Sequence, residues 1–557
     1  MMTQTAHRYI PIIGLALLMW TGTGLAQNAA MTAEDRLSLL YQPRFDYTET
    51  GEPIIRVHLK DAEDSIQFTP DQAIKVMPNG EGGPEIRLPG KKPYTVTISE
   101  AEAGTYTHHV VVERLRVDEK ERLPDLSAEW MERGYVIEPL EKGGLFAMQG
   151  RVLDSRTLLV SVFKTQNEEE AKTIKSHLEG QYGIRAGVHS ELTEYPKGLL
   201  TLKAPGLNVT ITSPNVLWVG ASKMGKKEIR YTIPNIPKSY GKGFETRTYT
   251  GTLVFAPGRG GNLVAMVEVG AEKLLRGVVP SEIYSTAPAA SLRAQAIAAR
   301  NQVYAFVGVR NVADPFMQRS DVMDQVYGGV GKEQKSTTKA VEETRGVVMF
   351  RGDILAEVFY SSNSGGFTEN NENVWKMEPL PHLRGKPDSP PGVAPEWYKD
   401  GISEDELEAF LSSKTKAYSQ WKPNLYRWTR DATAKQAREW LKKNREDSGP
   451  IEDVRILSRG VSGRVIRLEV VGQKATVMVE RELNIRRLFG GLRSGLFIMS
   501  MKRGTDGNVN QFSFRGGGFG HGVGMCQTGA MGMAKEGFSH NDILQHYYSG
   551  ITIEKLY

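Results

Sequence analysis

The stretch TRTYTGTLVFAPGRGGNLVAMVEV, residues 246–269, holds two apolar runs on either side of the turn GRGG. This pattern predicts a β-hairpin. A long helical pattern follows in ASLRAQAIAARNQVYAFVGVR, residues 290–310. Its apolar residues recur every three to four positions and predict one buried stripe, formed by Leu292, Ala296, Ala299, Val303 and Phe306. Strands and helices mix along the chain without a β-α-β rhythm, so we expect an α+β fold.

The composition is that of a multidomain globular protein. The chain has 557 residues, 40% of them hydrophobic and 24% charged. Its 70 basic and 65 acidic residues nearly balance, and no long lysine or arginine run is present, so we expect no nucleic-acid partner. Cys526 is the sole cysteine, which excludes an intramolecular disulfide.

The N-terminus has the pattern of a signal peptide spanning residues 1–26. Basic Arg8 precedes the 11-residue apolar run IPIIGLALLMW, and small residues follow at Gly24 and Ala26. A buried core helix is the alternative, and the run is too short to span a bilayer. We therefore expect an exported protein of the periplasm, cell wall or extracellular space, without a later transmembrane segment.

Four further segments are predicted. Residues 27–140 alternate in polarity and predict a β-rich domain. Residues 141–232 read as a small α/β module that resembles, in pattern only, the peptidoglycan-binding domains of division and sporulation proteins. Residues 233–245 are rich in proline, glycine and lysine and predict a linker. Residues 246–557 form the last domain, with a helical insertion at about 400–447.

Glu282 lies between the hairpin and the helix, in EKLLRGVVPSEIYSTAP, residues 272–288. The apolar run stops at Val279, a Pro-Ser turn is predicted next, and no acidic residue occurs among the five that follow Glu282. A glutamate in a turn before a helix most often interacts with that helix's positive end. Proton transfer is the alternative, and this stretch alone does not decide between them.

A glycine-rich stretch, FRGGGFGHGVGMCQTGAMGMA, spans residues 514–534. It matches neither GxGxxG nor GxxxxGK[ST], so a nucleotide site is not expected. We expect a tight loop that brings His521 and backbone amides against an extended ligand, with a flexible surface loop as the alternative. Cys526 has apolar neighbours, as a packed thiol would, and the histidine spacing gives no zinc motif.

Seven blocks between Thr246 and Tyr557 together resemble one known family. They are LLRGVVPSEI, LRAQAIAAR, DQVYGG, AVEETRGVVMFRGDILAEVFYSSNSGGFTENNENVW, SGRV, GHGVGMCQTGA and ILQHYYSGI. In this order they resemble the stage II sporulation protein D family, which includes amidase enhancers. The first 245 residues are not covered.

The resemblance implies an activity and a catalytic residue. The family contains lytic transglycosylases that cleave the MurNAc-GlcNAc bond of cell-wall glycan, preferentially in strands stripped of peptide, and leave 1,6-anhydro-MurNAc ends. Its catalytic glutamate follows a VP dipeptide, which places that role on Glu282. A hydrolase needs a second carboxylate, whereas a lytic transglycosylase uses the sugar's own C6 hydroxyl. One acid that donates and then accepts a proton therefore suffices, provided that burial raises its pKa.

The same resemblance implies a set of glycan-binding residues, with packing or turn formation as the alternative for Ser281, Tyr327 and Tyr360. The set is Ser281, Tyr327, Tyr360, Ser362, Asn363, Ser364, Thr368, Glu369, His521 and Gln527. Some relatives bind zinc through Cys or His near the SSNSGG turn. This chain has neither there, so we expect no metal and no cofactor.

Three functions remain open at this point. The leading one is an exported peptidoglycan lytic transglycosylase. The second is a glycan-binding enhancer of a cell-wall N-acetylmuramoyl-L-alanine amidase, which would be a protein partner. The third is a structural component of the envelope.

Overall fold

The computed structural model describes residues 31–557 apart from 81–82, 149, 223–227, 240, 376, 395, 397–398 and 414–415. The predicted signal peptide, residues 1–26, lies outside the described residues. No helix in the described part is both long and apolar enough to cross a membrane.

The described helices, in chain order, are α1 (Ala33–Tyr41), α2 (Leu123–Glu132), α3 (Glu168–Tyr182), α4 (Ala271–Glu282), α5 (Ala289–Ala305), α6 (Lys335–Glu343), α7 (Asn371–Val374), α8 (Glu404–Ser412), α9 (Pro423–Tyr426), α10 (Ala434–Lys443), α11 (Glu482–Leu488), α12 (Gln527–Lys535) and α13 (His540–Tyr547). Short 3₁₀ turns occur at Val117–Arg122 and Val330–Lys332.

The described strands are β1 (Asp46–Tyr47), β2 (Pro53–Ala62), β3 (Ser65–Pro70), β4 (Ile74–Met77), β5 (Ile86–Leu88), β6 (Tyr94–Glu102), β7 (Thr105–Arg116), β8 (Glu138–Lys142), β9 (Leu145–Met148), β10 (Arg151–Asp154), β11 (Thr157–Thr165), β12 (Gly187–Glu194), β13 (Lys197–Lys203), β14 (Thr210–Pro214), β15 (Leu217–Ala221) and β16 (Tyr231–Pro237). They continue with β17 (Phe244–Tyr249), β18 (Thr252–Pro257), β19 (Leu263–Gly270), β20 (Gln318–Arg319), β21 (Val347–Arg351), β22 (Ile354–Leu355), β23 (Tyr360–Ser361), β24 (Arg427–Thr433), β25 (Ile451–Arg459), β26 (Val465–Gly472), β27 (Thr476–Glu480), β28 (Phe497–Arg503), β29 (Val509–Gly517), β30 (Met525–Cys526) and β31 (Thr552–Lys555). This mixture of mainly antiparallel sheets and helices confirms the predicted α+β class.

The largest sheet of the described residues joins segments that lie far apart in the sequence. Its order is β1-β2-β19-β18-β15-β4-β5, and β20 also pairs with β2. The predicted hairpin is present as antiparallel β18 and β19, and β19 pairs with β2, placing Val267 opposite Val57. The predicted division at residue 246 therefore does not describe this sheet, because β2 and β15 come from the segments predicted as separate domains.

A second sheet contains the segment that was predicted as a linker. Its order is β14-β13-β6-β3-β16-β17. Residues 233–237 form most of β16, and residues 244–245 begin β17, which pairs with β16. Buried side chains at Tyr231, Ile233 and, after a register shift, Ile236 account for the strand despite its prolines.

A β-α-β-β-α-β module is inserted between β6 and β13 of this second sheet. It forms a four-stranded antiparallel sheet with the order β12-β7-β11-β8, and α2 and α3 pack on it through Val110, Trp130 and Val162. Asn167 caps α3 by accepting from two backbone amides, and Gly183 ends it with a φ of 65°. The module begins at β7, so the predicted boundary at residue 141 cuts through it.

Helix α5 is the centre of the C-terminal half. It packs against α4, α6, α12, α13 and β21, and nearly all of its residues are buried, so the single stripe predicted for it understates its burial. Its alanines allow this close approach from several sides. Arg300 of α5 is fully buried and forms a two-pronged ion pair with Glu272 of α4, with donor–acceptor distances of 2.8 and 2.7 Å. This pair fixes α4 against α5.

The remaining sheets surround this centre. Strands β25, β26 and β27 form an antiparallel meander, while β21 pairs with β22 and β31. The predicted insertion at about 400–447 contains α8, α9 and α10 but also β24, which pairs with β29. β23 pairs in parallel with β30, setting Tyr360 opposite Met525.

Candidate active site

Glu282 is the last residue of α4. The Ile283 amide donates to the Val279 carbonyl at 3.0 Å and closes the helix. The predicted turn at Pro280 is wrong, because the helix continues through it. The buried side chains of Val279 and Ile283 anchor this last turn and compensate for the backbone hydrogen bond that Pro280 cannot make.

The Glu282 carboxyl group is half-buried and has one hydrogen-bond partner among the described residues. The Val326 amide donates to its Oε1 at 2.8 Å. Burial raises the pKa of Glu282 to about 7, although the Val326 hydrogen bond acts in the opposite direction. In the described part of the chain it forms no ion pair and no charged group contributes to this shift. Glu282 is therefore half protonated near neutral pH, and it does not cap the positive end of α5.

Tyr360 is connected to Glu282 by hydrogen bonds to two neighbouring residues of the DQVYGG segment. Its hydroxyl donates to Gln325 Oε1 at 2.8 Å, and Gln325 immediately precedes the residue whose amide binds Glu282. The Gln325 amide nitrogen donates to the Ala299 carbonyl of α5 at 3.2 Å. Half-buried Tyr360 thus belongs to the same polar group as Glu282.

Gln527 provides the third part of this group. Its Nε2 donates to the backbone carbonyl of Glu282 at 3.0 Å and to Gln295 Oε1 at 3.1 Å. Gln295 is fully buried in α5, and its own amide nitrogen has no hydrogen-bond partner among the described residues. The N-terminus of α12 is thereby fixed to the C-terminus of α4.

Two of the predicted glycan-binding residues serve the protein interior instead. Tyr327 is 1% exposed and packs against Tyr249 with ring centroids 5.4 Å apart. Gly277 lies so close to its ring that an added Cβ would stand 2.6 Å from it. The hydroxyl of Ser281 donates to the Gly277 carbonyl at 2.7 Å within α4. Packing therefore describes Tyr327 better, and Ser281 contacts the backbone of α4 instead of forming the separate turn that was its alternative.

The SSNSGG turn is stabilised mainly by hydrogen bonds of its buried side chains to other parts of the protein. Asn363 and Ser364 are fully buried, and the Ser364 hydroxyl donates to Asp388 Oδ2 at 2.7 Å. Asn363 donates to the Ser419 carbonyl at 3.2 Å and accepts from the Gly365 amide at 2.8 Å. Both residues shape the turn and do not face a ligand. Ser362 is half-buried, and its carbonyl accepts from the Thr528 amide and hydroxyl.

Thr368 and Glu369 are also buried. Thr368 exchanges hydrogen bonds with the backbone of Lys386. Glu369 accepts from the Ser462 hydroxyl at 2.5 Å, and Ser462 in turn accepts from Arg464 at 2.7 Å. The side chains of both residues therefore bind other groups of the protein and stabilise the segment that follows the SSNSGG turn.

The glycine-rich stretch packs against the SSNSGG turn. A Cβ at Gly524 would lie 2.1 Å from the Phe359 carbonyl, and one at Gly522 would lie 2.4 Å from the Arg464 guanidinium. The glycines therefore permit close packing of protein on protein, and this replaces the predicted approach to a ligand. Arg464 also donates to the Ser364 carbonyl at 2.7 Å, so it joins the turn and the loop.

His521 is half-buried in this loop. Its Nδ1 accepts from the Val523 amide at 3.0 Å, its ring hydrogen-bonds to the Tyr360 backbone, and it lies 4.8 Å from the Trp375 ring centroid. Burial, together with the positive Arg464, lowers the pKa of His521 to about 3. The imidazole is therefore neutral and links the loop to Tyr360.

Sequence reasoning missed several members of this site. The Val326 amide leaves no side-chain signal. Gln295 and Arg464 did lie in the quoted blocks LRAQAIAAR and SGRV, and a polar residue inside an otherwise apolar helix is the signal that would have found Gln295. Among the residues that the structure describes, no group of three or more His, Cys, Asp or Glu side chains could hold a metal ion.

Comparisons with known proteins agree with this architecture. Residues 259–350 match a family model described as Stage II sporulation protein, and residues 369–524 match a domain of unknown function, DUF8618. The Amidase enhancer of Bacillus subtilis (strain 168) is 29% identical over 299 residues, which are 50% of this chain and 40% of that protein. Stage II sporulation protein D of the same organism is 29% identical over 299 residues, 51% of this chain and 74% of that protein. Stage II sporulation protein D of Bacillus amyloliquefaciens is 25% identical over 305 residues, again 51% and 74%.

Proposed function

We propose that this chain, which belongs to the stage II sporulation protein D family through its C-terminal half, is a peptidoglycan lytic transglycosylase of the cell envelope. One observation carries the proposal. Glu282 is an acid whose pKa of about 7 is set by burial without a neighbouring charge, and it stands beside the family's other motifs. Export of the chain to the wall is part of the same proposal.

The proposed reaction uses Glu282 twice. Its Oε1 is held by the Val326 amide, and among the described residues Oε2 has no hydrogen-bond partner, so Oε2 carries the proton. Glu282 donates this proton to the glycosidic oxygen as the bond from C1 of MurNAc breaks. The resulting carboxylate accepts the proton of the C6 hydroxyl, whose oxygen bonds to C1. The products are a 1,6-anhydro-MurNAc end and a free 4-hydroxyl, and no water is consumed.

The site residues divide into two groups in this proposal. Tyr360, Gln325 and Gln527 hold α4, α12 and the DQVYGG segment around the carboxyl group. Arg464 supports the SSNSGG turn and the glycine-rich loop from below. Ser362, with its half-buried side chain, remains the member of the turn placed to contact a glycan hydroxyl.

The test is product analysis. Purified full-length protein incubated with peptide-free glycan strands is expected to produce 1,6-anhydro ends, identified by mass spectrometry. Glu282→Gln is expected to form none while keeping its folded far-ultraviolet spectrum. Products that persist in this variant would remove Glu282 from the mechanism.

A second candidate is supported by the similarity to a protein named amidase enhancer. In that case the chain would bind glycan and stimulate a cell-wall amidase without cutting the strand. Equal stimulation of a purified amidase by the wild type and by Glu282→Gln, with no anhydro ends from either, would favour this function.

The β-α-β-β-α-β module is the proposed wall-binding part of the chain. Its sheet carries a cavity of about 330 Å³ whose lining includes Thr107, His109, Lys164 and Glu191. Thr107, Lys164 and Glu191 offer donors and acceptors to sugar hydroxyl groups, whereas His109 is buried beneath them. Replacing Lys164 by alanine in the full chain is expected to weaken co-sedimentation with purified wall, and unchanged sedimentation would contradict this role.

A further inference from the structure

An exposed aromatic ring lies next to the candidate acid. Tyr284 follows Glu282 by two residues and is 58% exposed, whereas Ile283 between them is buried. Neither the packing of α4 nor the proposed acid–base chemistry uses this ring. Its position places an apolar surface at the edge of the site.

Trp421 comes to the same edge from the predicted helical insertion at about 400–447. Its indole nitrogen donates to the Thr528 carbonyl at 2.8 Å. Thr528 follows Gln527, whose amide binds the Glu282 carbonyl. Trp421 is thus fixed to the start of α12 next to the acid, and one side of it packs against the main buried cluster.

Two lysines lie over these rings. The Nζ atoms of Lys535 and Lys422 are 3.7 and 4.7 Å from the Trp421 ring centroid. Lys422 Nζ is also 5.5 Å from the Tyr284 ring centroid. In the part of the chain that the structure describes, neither lysine forms an ion pair with a carboxylate. Trp421 therefore holds two uncompensated positive charges beside an exposed tyrosine.

We propose that Tyr284, Trp421, Lys422 and Lys535 form a subsite for a carboxylate-bearing sugar of the glycan strand. The apolar face of a sugar ring stacks on Tyr284, and its carboxylate binds the two ammonium groups. A muramic acid without its peptide has a free lactyl carboxylate, whereas one with a peptide has an amide at that position. The subsite therefore selects peptide-free strands, and this inference rests on the proposed function.

The test measures binding without turnover. Full-length Glu282→Gln is titrated with peptide-free glycan strands, with the same strands after amidation of their carboxylates, and with neutral chitin oligosaccharides. In this background the double replacement Lys422→Gln and Lys535→Gln is expected to weaken binding of the carboxylated strands three- to tenfold, as loss of two exposed ion pairs does. Binding of the amidated strands and of chitin is expected to stay unchanged.

Lys435→Gln is the matched control, since Lys435 is an exposed lysine of α10 away from these rings. It is expected to bind all three ligands as the parent does. Thermal unfolding checks that the double variant stays folded, and Trp421 is left intact because it packs into the core. An equal loss for all three ligands, or no loss for any, would overturn the subsite.

These outcomes separate the subsite from the catalytic proposal. Charge-selective binding by a chain that forms no anhydro ends would keep the subsite and refute the enzyme. Anhydro ends formed by a chain whose binding ignores the carboxylates would keep the enzyme and refute the subsite.

Discussion

Removal of the Glu282 carboxyl group changes how the stability of the protein depends on pH. The ordinary pKa of 4.5 applies to the unfolded chain, and burial raises the folded value to about 7. The folded protein therefore retains a proton that the unfolded chain releases between pH 4.5 and 7. The stability contributed by this proton is fully present below pH 4.5 and is lost as the pH rises through 7.

The size of the effect follows from the two pKa values. At about 1.36 kcal/mol for each pH unit between them, wild type loses about 3 kcal/mol relative to Glu282→Gln from pH 4 to pH 8. Because the side chain is only half-buried, we regard this as an upper value. Glutamine stays neutral throughout, so the free energy of unfolding of the variant, minus that of wild type, is expected to rise across this window.

The assay is urea unfolding of both proteins, followed by tryptophan fluorescence at a series of pH values. All other titrating groups cancel in the difference between the two proteins. Glu439→Gln is the control for loss of one carboxyl group, since Glu439 of α10 is exposed. A flat difference for Glu282→Gln would mean that Glu282 has an ordinary pKa and is ionised at neutral pH. The proposed role as proton donor would then fail.

Two further predictions concern the stability of the fold, one for a close packing contact and one for a buried ion pair. Gly522→Ala is expected to destabilise the protein by about 1–3 kcal/mol more than Gly537→Ala, because both glycines have a positive φ but only Gly522 would press a Cβ against Arg464. Equal losses in urea unfolding would show that this contact is not tight. Glu272→Gln is expected to cost about 3–5 kcal/mol, since it leaves the buried Arg300 guanidinium unpaired. A loss under about 1 kcal/mol would show that Arg300 finds other partners.

The sequence predicts local elements well where neighbouring residues determine them. The hairpin of β18 and β19, helix α5 and the meander of β25 to β27 each depend on a short periodic pattern. The pairing of β2 with β19 joins segments about 200 residues apart, and no local pattern encodes it. Strand pairing across residue 246 therefore has no local signal in the sequence, and the domain boundaries at residues 141, 233 and 246 stay predictions.

Within the site, the type of a residue predicts the chemistry that its side chain can perform. It does not predict whether that side chain is exposed or buried. Glu282 is predicted to be the acid from its motif, and this stays a prediction; the structure adds the burial that raises the pKa of this residue. Asn363, Ser364 and Glu369 are polar residues in a turn, yet they face inward and bind backbone and side-chain groups of the protein. A polar turn has the same sequence pattern whether its side chains bind a sugar or the protein itself.

The central claim is that the C6 hydroxyl of the sugar, and not water, attacks C1. It is tested most directly in water labelled with oxygen-18. The full-length protein is incubated with peptide-free glycan strands, and the newly formed ends are analysed by mass spectrometry. If the C6 hydroxyl attacks C1 with Glu282 as the acid and base, the ends carry an anhydro ring and no heavy oxygen. Newly formed reducing ends, in excess of those in a sample without protein, would show that water attacks C1, and the account of a single acid without a hydrolytic partner would be wrong.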